Sequence, residues 1–370
     1  MLDRVVKPSI HEGEPYSIHP EDSRPMSRVP ENPFHRVLAH DEAPRKFTRR
    51  RFLVSLGALA AAGIAAPVLG RIGSRFASQG IARVERSRAA LGTWVRIVAH
   101  HREDVAAERA IDNAFAAIGH VDGQMSIHRA DSELSRVNAS AGRAPVAVSG
   151  ALLDIVERAG AGARQTNRAY DPTVLPLMRL YGFYHSGRTH LPSDREITAA
   201  LDAMGPQVIA IDRRAGTLGL TKTGAALDLG SIGKGWAIDR AVEALRAGGV
   251  TSGLVDVGRN VYGLGTPGEG AQGWSVGVLD PASGNIAKVF MLRDAAVGTS
   301  GNYEQWSTLD GERVGHIMDA RLGRPAAAHV SASVVARTGT ASDEGSTRAF
   351  LLGRAGLDGL EGVLDTHFIG

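Results

Sequence analysis

The chain has 370 residues, 43% of them hydrophobic and 22% charged, with 42 Lys+Arg against 39 Asp+Glu, a composition near the globular average that excludes a wholly disordered or collagen-like protein. The absence of Cys excludes thiol nucleophiles, Cys-held zinc, iron–sulfur clusters and a lipid-modified cysteine. Ten basic and eight acidic residues precede position 71, so the remainder lies within one charge of neutral and lacks the basic face that a nucleic-acid partner requires.

Residues 1–46 hold seven of the sixteen prolines and few apolar residues, which predicts a disordered N-terminal extension. A signal-like segment follows over 47–78. Thr48, Arg49, Arg50, Arg51, Phe52 and Leu53 lead into an uncharged run of 19 residues, 52–70, rich in Ala and Gly. Paired arginines ahead of Phe-Leu and a weakly apolar run resemble a twin-arginine export signal, a receptor-read address for folded cargo. A transmembrane helix is the rival reading, but Gly57, Gly63 and Pro67 make the run a poor one. The expected location is the periplasm or the outer face of the cytoplasmic membrane, and an uncleaved signal leaves membrane association open.

Residues 91–101, LGTWVRIVAHH, alternate as a strand that opens the folded domain, expected over 89–370. Val105, Ala106, Ala110, Ala114, Phe115 and Ile118 then recur with a helical period over 103–121. Further helices are expected at 150–166, 194–203 and 234–247. Strands are expected at 207–212, 217–221, 252–257, 274–279, 286–292 and 330–337. Helices and strands mix without strict alternation, so the expected class is α+β, with mixed, largely antiparallel sheets in a single catalytic domain.

Three segments carry chemistry. In Asp228-Leu-Gly-Ser-Ile-Gly-Lys-Gly-Trp-Ala-Ile-Asp239 a glycine-rich turn runs into an amphipathic helix, whose first amides and Lys234 suit a phosphate. It is not a Walker loop, since the spacer and the Ser/Thr after Lys are missing. Alone it would be a tight turn with a solvated lysine, with Asp239 a solvated acid on the helix face. In Gly315-His-Ile-Met-Asp319, an imidazole stands three positions before a carboxylate that could orient it as a base. A lone His is more often structural. In Ala341-Ser-Asp343-Glu-Gly-Ser-Thr347, Asp343 and Thr347 share one face of a helix start. They offer Mg²⁺ the hard oxygens it takes alongside water and substrate phosphates, with Asp343 expected in an exposed cleft; in isolation Asp343 would be a helix cap.

In this order the three segments resemble the ApbE family, the FAD:protein FMN transferases, from about Leu91 to about residue 353. Leu91-Gly-Thr93, Met125-Ser-Ile-His128 with Asp131-Ser-Glu-Leu-Ser and Asn138, Tyr170-Asp-Pro-Thr173 with Pro176, and Thr299-Ser-Gly-Asn-Tyr303 agree. The resemblance implies an enzyme that binds FAD and Mg²⁺ and transfers the FMN phosphoryl to a threonine hydroxyl of a partner flavoprotein, releasing AMP. It implies FAD contacts at Asp228, Lys234, Tyr170, Asp171 and Thr173, and flavin-nucleotide contacts at Leu91 and His128. It also implies that Ser231, through its backbone oxygen, joins Asp343 and Thr347 on the metal, and that His316 with Asp319 serves the acceptor hydroxyl. Two rivals share these motifs: an FAD pyrophosphatase yielding FMN and AMP, and a non-catalytic flavin-binding protein. Retention of Asp343, Thr347 and His316 argues against the second. The chain departs from the family pattern at His128, at Gly258-Arg259-Asn260, at Asp319-Ala-Arg-Leu-Gly323 and at Glu344-Gly345-Ser346.

Overall fold

Strands β1 (Ala82–Ala90) and β2 (Thr93–His101) meet through Leu91 and Gly92, whose φ angles of 53° and 68° form the two-residue turn that twisted antiparallel strands favour. The computed structural model describes residues 80–184, 187–303 and 305–370; the N-terminal extension and the signal segment lie outside the described residues. The strand expected from Leu91 is thus the second arm of a hairpin, and its first arm starts ahead of Ala89. Only Val84 of β1 is buried, so its mostly polar sequence carries little strand signal.

The chain continues through α1 (Asp104–Met125), α2 (Glu133–Ala139), β3 (Val146–Ala147), α3 (Gly150–Gln165), α4 (Leu175–Leu180) and α5 (Asp194–Asp202). Then come β4 (Ile209–Asp212), β5 (Thr217–Leu220), α6 (Gly233–Ala247), β6 (Ser252–Val257), β7 (Asn260–Leu264), β8 (Trp274–Leu279) and β9 (Ile286–Leu292). The last elements are β10 (Ala295–Gly301), β11 (Trp306–Leu309), β12 (Glu312–Gly315), β13 (Met318–Asp319), β14 (Arg324–Pro325), β15 (Ser331–Ala336), α7 (Gly339–Leu352) and β16 (Val363–Ile369). Every helix and strand expected from the periodicities is present. Helix α1 runs on to Met125 because Val121 and Met125 prolong its buried stripe.

Seven strands form one antiparallel sheet in the order β1-β2-β6-β7-β10-β15-β16. Helices α1, α6 and α7 bury one face of it through Ile97, Val255, Ile111, Ile118, Ile238 and Val334, among others. The β8–β9 ribbon covers part of the other face with Trp274, Val276 and Phe290 against Val98, Leu254 and Val297. A third cluster, Leu175, Leu177, Met178, Tyr181, Leu309, Val314 and Met318, joins α4 to the segments around β11–β13. The class is α+β, as expected. Among the described residues no helix is long and apolar enough to cross a membrane.

Helices α6 and α7 touch at their first turns through two glycines. A Cβ on Gly235 would lie 2.1 Å from the Gly339 carbonyl oxygen, and one on Gly339 would lie 2.5 Å from that of Gly235. Asp239 is not solvated. Its carboxylate accepts from the backbone N–H of Gly339 (2.6 Å) and Thr340 (2.9 Å) and from the Thr340 hydroxyl (2.5 Å), so one helix caps the other. Thr338, the N-cap of α7, accepts from the N–H of Ala341.

Gly235→Ala should destabilise the protein by roughly 1–3 kcal/mol, because the methyl meets backbone rather than a flexible side chain. Urea unfolding checks this, and an unchanged midpoint would show that the helices separate freely.

Candidate active site

A cavity of about 350 Å³ opens where the first turn of α6, Thr347 and Leu351 of α7, the β1–β2 turn and the segment around His316 converge, within the range of small-molecule sites. Nine of the twelve residues singled out above line it: Leu91, His128, Tyr170, Asp171, Asp228, Ser231, Lys234, His316 and Thr347. Thr173, Asp319 and Asp343 stand behind its wall.

Asp343 is the first correction, since an exposed cleft position was expected and its residue exposure is 2%. The close approach of the helices lets its Oδ2 accept from the N–H of Gly235 at 2.9 Å. Its Oδ1 accepts from Asn260 Nδ2 at 2.6 Å and lies 3.4 Å from Lys234 Nζ. Lys234 also donates to the Gly230 carbonyl at 3.0 Å. One helical turn on, Thr347 reaches the cavity wall, its hydroxyl 3.1 Å from that of Ser300.

The His316 segment gives the second correction. Asp319 does not orient the imidazole, because Arg321 folds back across the turn and takes both carboxylate oxygens, Nε to Oδ1 at 3.0 Å and Nη2 to Oδ2 at 2.5 Å. A bidentate guanidinium holds a carboxylate more firmly than a single imidazole N–H would. The backbone of Gln305 holds the ring instead, with His316 Nδ1 3.2 Å from its carbonyl oxygen. A carbonyl can only accept, so Nδ1 carries the proton and Nε2 keeps its lone pair. Burial, aided by Lys234, lowers the ring pKa to about 4, and Phe183 lies edge-on to it at 6.5 Å. Asn302 anchors the strand by accepting from the N–H of Ile317 at 3.1 Å and donating to Ala326 at 2.7 Å.

Opposite these lies the turn after α3. Asp171 accepts from the N–H (2.9 Å) and hydroxyl (2.6 Å) of Thr173, while the Gly205 N–H donates to that hydroxyl at 2.6 Å. Thr173 is fully buried, so its hydroxyl braces the turn and does not face the cavity. Burial raises the pKa of Asp171. Asp228 accepts from the Gly230 N–H at 2.7 Å and from the Tyr184 hydroxyl at 3.2 Å. Tyr184 in turn packs edge-on against His128, with ring centroids 5.3 Å apart. Ser231 donates to the Tyr170 hydroxyl at 3.3 Å, which leaves its backbone oxygen uninvolved in that bond.

Gln305 and Tyr184 also line the cavity and carry no signal in the sequence. Asn260 and Ser300 lie in segments noted above, but their contacts with Asp343 and Thr347 depend on strands far apart in the chain.

The chain is similar to known proteins over most of its length. The ApbE family model matches residues 91–366. An FAD:protein FMN transferase of Treponema pallidum is 31% identical over 309 residues, covering 79% of this chain and 84% of the relative. The crystal structure of the ApbE protein from Thermotoga maritima is similar with a TM-score of 0.68 and 30% identity, over 74% of this chain and 88% of that one. The flavin transferase ApbE from Vibrio cholerae gives a TM-score of 0.66 at 26% identity, over 78% and 98% of the two chains. By class the protein is an enzyme, a transferase. The chain belongs to the ApbE family.

Titrating the protein by NMR should place the His316 ring transition near pH 4, so that the imidazole is neutral throughout the range from 5 upwards. A transition at the ordinary histidine value of about 6.5 would show that the ring is solvated.

Proposed function

We propose that the chain is an FAD:protein FMN transferase that moves the FMN phosphoryl of FAD onto a threonine hydroxyl of an exported flavoprotein, with Mg²⁺, and releases AMP. The observation that carries the reading is the meeting of Lys234, in the wall of a cavity that His316 also lines, with Asp343 behind that wall, 3.4 Å away where α6 crosses α7. Relatives across most of the chain are named FAD:protein FMN transferases, which supports the coarser part of the reading.

The donor chemistry at the crossing fits a hard divalent cation. The Asp343 carboxylate, the Thr347 hydroxyl and the Ser231 backbone oxygen would hold it, and each carboxylate oxygen keeps a lone pair beyond the hydrogen bond it accepts. When bound, the cation would neutralise charge on the pyrophosphate.

The chain's own groups account for the rest. Lys234 lines the cavity as a phosphate ligand, whereas the N–H groups of Gly233, Gly235 and Trp236 in the first turn of α6 already donate to Leu229, Asp343 and Ile232. Tyr184 and His128 form an aromatic corner for a planar ring. His316 Nε2 takes the proton of the acceptor threonine as its oxygen bonds to the FMN phosphorus, and the bond from that phosphorus to the AMP oxygen breaks. Asp319 supports this only at a distance, by holding Arg321 and the turn that follows His316.

With FAD, Mg²⁺ and an unmodified flavoprotein domain, mass spectrometry should show one FMN added to that domain and AMP in equal amount. Asp343→Asn should abolish transfer, and His316→Ala should slow it by roughly a hundred- to ten-thousand-fold while FAD still binds. Equal FMN and AMP in solution, with no flavin on protein, would make the enzyme a hydrolase.

Export by the twin-arginine route belongs to the same proposal and is supported by Arg49 and Arg50 ahead of Phe52 and Leu53. Replacing both arginines by lysine should stop export, since the receptor distinguishes the two cations and a plain hydrophobic anchor does not. Normal export of that variant in fractionated cells would remove the signal assignment.

A further inference from the structure

Helix α3 ends at Gln165, and the residues after it reverse the chain into the turn that carries Asp171. Asn167 and Arg168 both adopt the left-handed backbone conformation there, with φ angles of 48° and 66°. Asn167 needs no special account, because Asn is tolerated in that conformation at helix ends. Arg168 does, since Gly would adopt it without strain, and a strained backbone persists where the surrounding structure puts the residue to use. Local bonds hold it in place: the Arg168 N–H donates to the Ala163 carbonyl at 2.7 Å and the Ala169 N–H to that of Thr166 at 3.1 Å.

The side chain carries a second cost. Arg168 Nη2 is buried with no hydrogen-bond partner, which is rare for a donor removed from water. What the guanidinium does reach is Asp171, with Nε 3.3 Å from Oδ2. The other carboxylate oxygen, Oδ1, accepts from the N–H of Thr173 at 2.9 Å and from its hydroxyl at 2.6 Å. The Asp171 carboxylate is therefore clamped on both oxygens, and it stands in the wall of the cavity. Burial pushes its pKa up, and Thr173 and Arg168 work against that push. Arg168 does not line the cavity itself, so any influence it has there passes through Asp171.

We propose that Arg168 is a positioning residue, which holds the Asp171 carboxylate as a fixed acceptor for a hydroxyl or N–H group of FAD in the cavity. The inference rests on the reading that the cavity takes FAD. An arginine that only stabilised the end of α3 would lower stability when removed. Arg168 stands where its removal relieves backbone strain, so stability and FAD affinity should move in opposite directions.

The test uses the full chain, with FAD affinity read by flavin fluorescence without Mg²⁺, so that no turnover occurs, and the thermal midpoint measured alongside. Arg168→Gly should weaken FAD binding about tenfold, on the scale of a charge-assisted hydrogen bond, while the midpoint holds or rises. Arg168→Lys should recover part of the affinity, since it restores a cation beside Asp171. Asp171→Asn should weaken binding at least as much as Arg168→Gly, and adding Arg168→Gly to it should weaken binding no further, because the two residues act as one unit. Unchanged FAD affinity in Arg168→Gly would overturn the proposal, and so would additive losses in the double variant. A midpoint that falls in step with the affinity would make Arg168 a structural residue and overturn it equally. A wild type that binds no FAD would instead remove the reading of the cavity, and the positioning role would fall with it.

Discussion

The site depends on how closely α6 approaches α7. Backbone meets backbone at Gly235 and Gly339, and only at that separation can the N–H of Gly235, in the first turn of one helix, donate to a carboxylate on the other. Asp239 returns the contact by capping α7 from α6. The two acids thus cross in opposite directions and lock the helices in both translation and rotation. Lys234 and Asp343 come within 3.4 Å as a consequence, and Thr347, one turn further on, is aimed at the same cavity. Larger residues at 235 or 339 would separate Lys234 from Asp343.

The departures at Glu344-Gly345-Ser346 form part of the same frame. Glu344 is 1% exposed and accepts from Arg158 at 2.8 Å and Arg348 at 3.0 Å. Arg348, equally buried, donates further to Gln165 and to the carbonyls of Gly356 and Asp358. Gly162 makes room for the carboxylate, since a Cβ there would lie 2.7 Å from Glu344 Oε1. A buried ion pair adds little net stability over an apolar pair of the same shape. What the network fixes is the roll of α7 against α3, and hence the aim of its neighbours Asp343 and Thr347. Gly345 serves the sheet side, where a Cβ would lie 3.1 Å from Val334.

Much of the fold was legible because it rests on local period. The apolar stripes of α1, α3, α5 and α6 and the alternation of β8 depend on nothing beyond their own residues. Strand β10, with its Gly, Ser and Thr, and the exposed edge strands β1 and β16 are strands only because the sheet supplies their partners. The site divides in the same way. Motif order pointed to Lys234, Asp343, Thr347 and His316, and the structure brings these segments to one cavity. Burial of Asp343, and capture of Asp319 by Arg321 in place of His316, are outcomes of competition among polar partners. Such competition is settled by distances that spacing does not encode.

The electrostatics of His316 follow from this enclosure. An imidazole with a pKa near 4 is always in its acceptor form at neutral pH, but it is a weak base. Two causes hold it there, burial of the ring and the positive charge of Lys234. Burial persists whatever the cavity contains. The contribution of Lys234 does not, because a pyrophosphate set against the ammonium would cancel its charge and bring negative charge towards the ring, and both changes raise a histidine pKa. On the proposed mechanism the free protein keeps this base unprotonated and weak, and bound substrate would strengthen it. Lys234 would then both grip the phosphate and tie the basicity of His316 to the presence of the group to be transferred.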